Sequence, residues 1–127
     1  MDYINQLCSP ILSKEIYSIN LDAIINILKM CGHEQVDLLF GFSWGNDYKD
    51  WKEFKVPVQE IKNEIVLAQK KGVGEFGAND LFITIPELQT EILFCHEMDI
   101  HLRYEKRNRV VNEIVSFWHN EPLNNKP

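Results

Sequence analysis

The spacing of hydrophobic residues predicts a helix in the first quarter of the chain. Four apolar side chains recur at i, i+3, i+4 and i+7, namely Leu21, Ile24, Ile25 and Leu28. This spacing puts them on one face of a helix. Asn20 is a suitable N-cap for that helix, and Gly32 lies just beyond its end. Ser9-Pro10 is a second suitable helix start, so a helix is also expected within the stretch from Ile4 to Ile19.

Two further helices are expected along the chain. The first runs from Pro57 to Lys71, and its apolar face consists of Val58, Ile61, Ile65 and Ala68. The second is capped by Asn108, and its inward face consists of Val110, Val111, Ile114, Val115 and Trp118. Pro122 ends this helix, because the residue before a proline is biased away from helical geometry.

Alternating or β-rich stretches predict the strands. They are Val36 to Phe42, Leu81 to Ile85, Thr90 to His96 and Met98 to Tyr104. The four residues from Pro86 to Gln89 suit a hairpin loop between two of these strands. The expected fold class is therefore α+β, with about three helices packed on a small, mainly antiparallel sheet.

Length and composition narrow the class of protein. A chain of 127 residues suits one domain, which we expect over residues 1–121, with a disordered tail rich in Asn and Pro over residues 122–127. Hydrophobic residues make up 45% and charged residues 25%, which excludes collagen-like and disordered classes. The net charge of −6 repels nucleic-acid phosphates and favours a basic partner.

The cysteines and the N-terminus bear on the compartment. Three cysteines, Cys8, Cys31 and Cys95, stand in unlike contexts without the close spacing of a disulfide framework. The first residues lack a basic n-region, and no apolar run has the length of a signal or of a membrane span. We therefore expect a cytoplasmic protein that is not bound to a membrane.

The stretch from Trp44 to Phe54, here named the aromatic-acidic segment, alternates large aromatic rings with carboxylates. Its candidate partner-binding residues are Trp44, Asp47, Tyr48, Asp50, Trp51 and Glu53. Aromatic side chains supply much of the binding energy at protein interfaces, and the carboxylates would steer a basic partner to the same place. The alternative is that Trp44, Trp51 and Phe54 fill the core beneath a loop.

Four potential ligands or proton-transfer groups fall between His96 and His101. The two histidines are five positions apart, whereas metalloprotease helices place them at i and i+4. No metal site is expected, but in an extended chain Glu97, Asp99 and His101 share one face, and the alternative interpretation is a weak divalent-ion site in a small metal-dependent hydrolase. The competing interpretation places His96 in the apolar row of the preceding strand as a hydrogen-bonded core residue.

No complete catalytic constellation is expected, and no cofactor. Cys95 and His96 would point to opposite faces of a strand and could not form a dyad. The run from Gly72 to Gly77 has the spacing G-x-G-x-x-G, but a helix precedes it and a strand follows it. That order is the reverse of a dinucleotide-binding unit, so a glycine-rich connection is expected there.

Three stretches carry a resemblance to a known class of protein. Asp80 to Pro86, Leu93 to Leu102 and the helix to Trp118 together resemble small bacterial immunity proteins that accompany polymorphic toxins. The resemblance implies a cytosolic single-domain antitoxin that binds and covers a cognate toxin domain, often a basic nuclease. It assigns no functional residue.

The expected function is therefore that of a non-catalytic binding protein with a basic protein partner. The apolar face of the C-terminal helix and the exposed edge of a small sheet also allow a homodimer.

Overall fold

The computed structural model of the protein describes residues 3–40 and 53–120. The strands are β1 (Asn5–Cys8), β2 (Gln35–Phe40), β3 (Phe54–Pro57), β4 (Leu81–Ile85), β5 (Thr90–Phe94) and β6 (Ile100–Tyr104). The helices are α1 (Lys14–Met30), α2 (Ile61–Lys70) and α3 (Arg109–Asn120). Short 3-10 turns cover Val58–Glu60, before α2, and Pro86–Leu88, between β4 and β5.

The six strands form one antiparallel sheet in the order β1-β6-β5-β4-β2-β3. The predicted α+β class, with three helices and a mainly antiparallel sheet, is confirmed. The hairpin of β4 and β5 is closed through Pro86–Leu88 and Gln89, and Gln89 adopts left-handed backbone geometry with φ of 47°. The described strands at the two ends of the sheet are β1 and β3.

One face of the sheet, here named the inner face, shares a single core with all three helices. Strand residues in this core include Leu38, Ile83, Ile92, Phe94 and Leu102. Helix residues in it include Tyr17, Ile24, Leu28, Ile61 and Ile114. Burying each such side chain contributes roughly 1.5–3 kcal/mol, so the inner face is the main source of stability.

Helix α1 begins earlier than predicted and is a single element. Ser13 is its N-cap, since the hydroxyl oxygen accepts a hydrogen bond from the Ile16 amide at 3.2 Å. The prediction that Asn20 caps the helix is wrong, as is the expectation of a helix start at Ser9-Pro10. Asn20 lies inside α1, fully buried, and its side chain donates to the Ile16 carbonyl at 2.9 Å.

The other two helices agree with the sequence. Helix α2 follows the predicted apolar stripe, with a 3-10 turn in place of its first residues. Helix α3 is capped by Asn108, whose side-chain oxygen accepts from the Val111 amide at 3.1 Å. Val110, Val111 and Ile114 are buried, so the predicted inward face is confirmed.

The two end strands were not predicted. Strand β1 contains only four residues, which alternate between half-buried and exposed positions. One of the half-buried residues is the polar Asn5, so apolar and polar residues do not alternate along the strand. Strand β3 pairs with β2 and ends at Pro57, within the stretch predicted as the start of a helix. Strand β2 begins one residue before the predicted start, at Gln35, and the predicted residues 41 and 42 lie outside the described ranges.

Within residues 3–40 and 53–120, no helix combines the length and apolar character needed to cross a bilayer. The tail predicted at residues 122–127 lies outside the described residues.

Candidate functional site

Thiol, imidazole and carboxylate side chains gather on the other face of the sheet, here named the outer face. They form the polar cluster, which consists of Cys8, Asp80, Cys95, His96, Asp99 and His101. Ile92 and Phe94 of β5 face the core, so Leu93 between them points to the outer face. His101 pairs with Leu93 and also with Cys8, which puts these three side chains on the outer face together.

A tight turn between β5 and β6 positions the centre of the cluster. The Cys95 amide donates to the Asp99 carbonyl at 2.9 Å, and the Met98 amide donates to the Cys95 carbonyl at 2.9 Å. Met98 has φ of 72°, a left-handed geometry that closes the turn. The Tyr17 hydroxyl also donates to the Cys95 carbonyl at 2.9 Å. Three hydrogen bonds therefore fix the backbone of Cys95.

The turn corrects the prediction that His96 belongs to the apolar row of a strand. β5 ends at Phe94, and the His96 side chain is half-exposed. One oxygen of Asp80 lies 2.8 Å from the His96 Nδ1 and accepts from the His96 amide at 2.8 Å. The hydrogen bond to Asp80, together with its negative charge, raises the pKa of His96.

The expectation that Cys95 and His96 point apart is also wrong, because strand alternation stops at the turn. The Cys95 Sγ lies 3.8 Å from the His96 Nδ1. A catalytic dyad still does not result, since Asp80 and Cys95 approach the same ring nitrogen. Burial raises the pKa of the Cys95 thiol to about 11, and a neutral thiol is a poor nucleophile.

A second chain of contacts links β1 to β6. The His101 Nε2 lies 3.0 Å from one oxygen of Asp99, and the His101 Nδ1 lies 3.6 Å from the Cys8 Sγ. The other oxygen of Asp99, Oδ1, is buried and has no hydrogen-bond partner among the described residues. Buried polar atoms are usually hydrogen-bonded, so this oxygen marks an incompletely satisfied site.

Two groups in the polar cluster have the composition of a metal site. The first consists of Asp80, Cys95 and His96, and the second of Cys95, Asp99 and His101; within each group the ligand atoms lie within 4.8 Å of one another. Asp99 and His101 of the alternative ion site are therefore brought together, and Cys95 joins them. Glu97 is in neither group: it is exposed in the turn, not on a shared strand face with the other two.

The aromatic-acidic segment is described only at its end. Trp44, Asp47, Tyr48, Asp50 and Trp51 lie outside the described residues. Glu53 is exposed, and Phe54, which begins β3, keeps 47% of its surface exposed. The alternative that Phe54 fills the core is therefore wrong.

The glycine-rich run connects α2 to β4, as predicted. It borders an open cavity of about 740 Å³ together with Lys14 of α1. Two of its amides have partners nearby: the Phe76 amide donates to the Gln69 side chain of α2 at 3.0 Å, and the Glu75 amide donates to the Asn79 side chain at 2.8 Å. A phosphate-binding loop directs its free amides at the ligand, and these amides are already used.

Comparisons with protein-family models, with curated protein sequences and with solved structures find no match to this chain. The resemblance to immunity proteins thus stays a prediction from the sequence.

Proposed function

We propose that the protein is a non-catalytic binding protein that attaches to a basic protein partner through the aromatic-acidic segment. In this role it covers the partner's functional surface, as an immunity protein covers a toxin domain. The observation that carries the proposal is the exposure of Glu53 and Phe54, where the segment enters β3.

Exposure of an aromatic ring beside a carboxylate favours binding over packing. A half-exposed phenylalanine leaves apolar surface in water that a partner can cover, and aromatic anchors of this kind dominate interface energies. The whole chain carries a net charge of −6, so a basic surface is attracted from a distance and a nucleic acid is repelled.

The position of the segment also favours a protein partner. Among the described residues, β3 pairs only with β2, and it is the last strand at its end of the sheet. A partner held at Glu53 and Phe54 would therefore lie beside strand backbone that can take part in the contact.

The chemistry of the polar cluster favours binding over catalysis. A thiol, an imidazole and a carboxylate are in contact in series, from Cys8 through His101 to Asp99. Acyl transfer, however, also needs hydrogen-bond donors for the developing oxyanion. The amide after the thiol, that of Ser9, already donates to the Ile100 carbonyl at 2.9 Å.

Co-expression with a toxin domain encoded beside the gene tests the proposal. We expect the wild-type chain to restore growth and to co-purify with the toxin domain. Asp47→Asn and Asp50→Asn should slow association, most visibly at low salt, while melting as the wild type does. Glu15→Gln is the matched control, since it removes an exposed carboxylate from α1 instead.

Absence of both protection and a complex would remove the immunity function. Equal slowing of association by Glu15→Gln and by the segment variants would instead assign the attraction to net charge alone, and the segment would lose its role.

A further inference from the structure

We propose that Cys95, Asp99 and His101 form a binding site for one Zn²⁺ ion on the outer face of the sheet. The inference does not depend on the proposed function, because it rests on residues outside the aromatic-acidic segment. It replaces the alternative set of Glu97, Asp99 and His101 with one that includes a sulfur ligand.

The three side chains lie close enough together to bind one ion. One ligand atom from each of the three side chains lies within 4.8 Å of the other two. Around a tetrahedral Zn²⁺, with bonds of about 2.0–2.3 Å, neighbouring ligand atoms are roughly 3–4 Å apart. Side-chain movements of about 1 Å or less therefore complete three corners of the coordination sphere, and solvent supplies the fourth.

The turn holds these ligands in place before any ion arrives. The Cys95 amide and the Asp99 carbonyl share a hydrogen bond of 2.9 Å, so two of the ligands stand opposite each other across the hairpin. Tyr17 fixes the Cys95 carbonyl from the core side. Cys95 and Asp99 lie in this hydrogen-bonded turn and His101 lies on β6, so ordering the ligands costs less conformational entropy than in a mobile loop.

One oxygen of the Asp99 carboxylate is buried and also favours a bound cation. The Asp99 Oδ1 is buried and has no hydrogen-bond partner among the described residues. The Asp99 side chain as a whole is 21% exposed. The Cys95 thiol is a hydrogen-bond donor to the Asp99 carboxylate, but a thiol is a weak donor, and a buried carboxylate oxygen is better satisfied by a cation. A divalent ion beside Asp99 and a Cys95 thiolate balances two negative charges.

The donor atoms select the kind of metal. A thiolate and an imidazole are ligands for Zn²⁺ and other borderline ions, whereas Mg²⁺ and Ca²⁺ prefer oxygen throughout. Binding through the sulfur requires the Cys95 thiol to release its proton to solvent, and the charge of the ion drives that release.

His101 has a contact at its second ring nitrogen, where metal-bound histidines usually have a hydrogen-bond partner. If its Nε2 binds the ion, the Nδ1 carries the proton and faces the Cys8 Sγ at 3.6 Å. Such contacts to the second nitrogen orient the ring, and their loss typically weakens metal binding by about 10–100-fold. Cys8 is therefore a positioning residue in this proposal.

The neighbouring group of Asp80, Cys95 and His96 is the weaker candidate. The oxygen of Asp80 that faces His96 is already bonded to both the amide and the ring of His96, each at 2.8 Å. The His96 side chain is also 51% exposed, so water competes there with any ion. These contacts give Asp80 a role in holding the turn.

Titration of the tag-free, chelator-treated protein with Co²⁺, followed by displacement with Zn²⁺, tests the proposal. We expect one equivalent of Co²⁺ to bind with a thiolate-to-metal absorption band and with the intense visible bands of a four-coordinate ion, and Zn²⁺ to remove both. Cys95→Ser, Asp99→Asn and His101→Gln should each weaken Zn²⁺ binding by about 100-fold or more, and Cys8→Ser by about 10-fold.

His96→Gln is the matched control, since it removes an imidazole from the same turn. Its affinity for Zn²⁺ should stay within about threefold of that of the wild type. Circular dichroism establishes that each variant is folded. If Cys95→Ser does not fold, the half-buried His101→Gln decides the outcome.

Three results would overturn the site. The first is the absence of stoichiometric Co²⁺ or Zn²⁺ binding at micromolar protein concentration. The second is unchanged affinity in folded His101→Gln. The third is a loss in His96→Gln as large as that in His101→Gln, which would assign the ion to the neighbouring group.

Discussion

At the scale of single residues, Asn20 connects two helices through its buried amide. Its side-chain oxygen accepts a hydrogen bond from the Trp118 Nε1 at 2.8 Å, and its nitrogen donates to the Ile16 carbonyl at 2.9 Å. The Asn20 side chain is completely buried, and Trp118 is partly buried against the core. The Asn20 side chain therefore fixes the position of α3 relative to α1.

Replacing Asn20 with Ala should lower the free energy of unfolding by about 1–3 kcal/mol, because the Trp118 N–H loses its acceptor inside the protein. Urea unfolding followed by circular dichroism measures the loss. Asn20→Ala combined with Trp118→Phe, which removes the donor as well, should be less destabilised than the sum of the two single changes. Strict additivity would show that the hydrogen bond does not couple the helices.

The local sequence around Asn20 predicts an N-cap and gives no sign of its hydrogen bond to Trp118. Asn is among the preferred N-cap residues, and Asn20 stands directly before a regular apolar stripe, so the pattern favours a cap. The competing use, a bond to Trp118, joins residues 98 positions apart and becomes visible only when the helices pack. The actual cap, Ser13, precedes an irregular stretch that gives no periodic signal.

At the scale of elements, Asn108 performs two tasks at the start of α3. Its oxygen caps the helix by accepting from the Val111 amide at 3.1 Å, and its nitrogen donates to the Thr90 Oγ1 at 2.9 Å. Thr90 begins β5 and is fully buried. The cap thus also attaches α3 to the sheet.

Asn108→Ala should destabilise the protein by about 1–2 kcal/mol, the usual cost of a lost N-cap. Asn108→Asp is the informative comparison, because it keeps the capping oxygen and loses the donor to Thr90. We expect its loss in chemical denaturation to be smaller than that of the alanine variant. Equal losses would mean that the contact with Thr90, and not the cap, supports the helix.

The elements that the sequence predicted well are those that bury a regular stripe. α3 and β4 have apolar residues at the periods of their structures, and both were found close to their predicted bounds. β1 and β3 lie at the ends of the sheet, where each has one described neighbour, so fewer of their side chains need to be apolar. Their place in the sheet depends on pairing with distant strands, which local pattern does not record.

At the scale of the whole molecule, the polar cluster was only partly predictable. Their spacing in the sequence groups Asp99 with His101, but Cys8 is 93 positions from His101 and contacts it only through strand pairing. The tight turn at Met98 also removes the strand alternation on which the inclusion of Glu97 depended. Proximity across the sheet, which brings these groups together, requires the topology.

Trp51→Ala separates binding of a basic protein partner by the aromatic-acidic segment from a role of that segment in the core. The measurement pairs the partner's dissociation constant with the free energy of unfolding of the same variant, using the toxin domain encoded beside the gene. We predict binding weaker by about 2 kcal/mol or more, with stability changed by less than about 0.5 kcal/mol. A loss of roughly 3–5 kcal/mol in stability, with affinity unchanged where the variant is folded, would make Trp51 a core residue and remove the segment as the binding site.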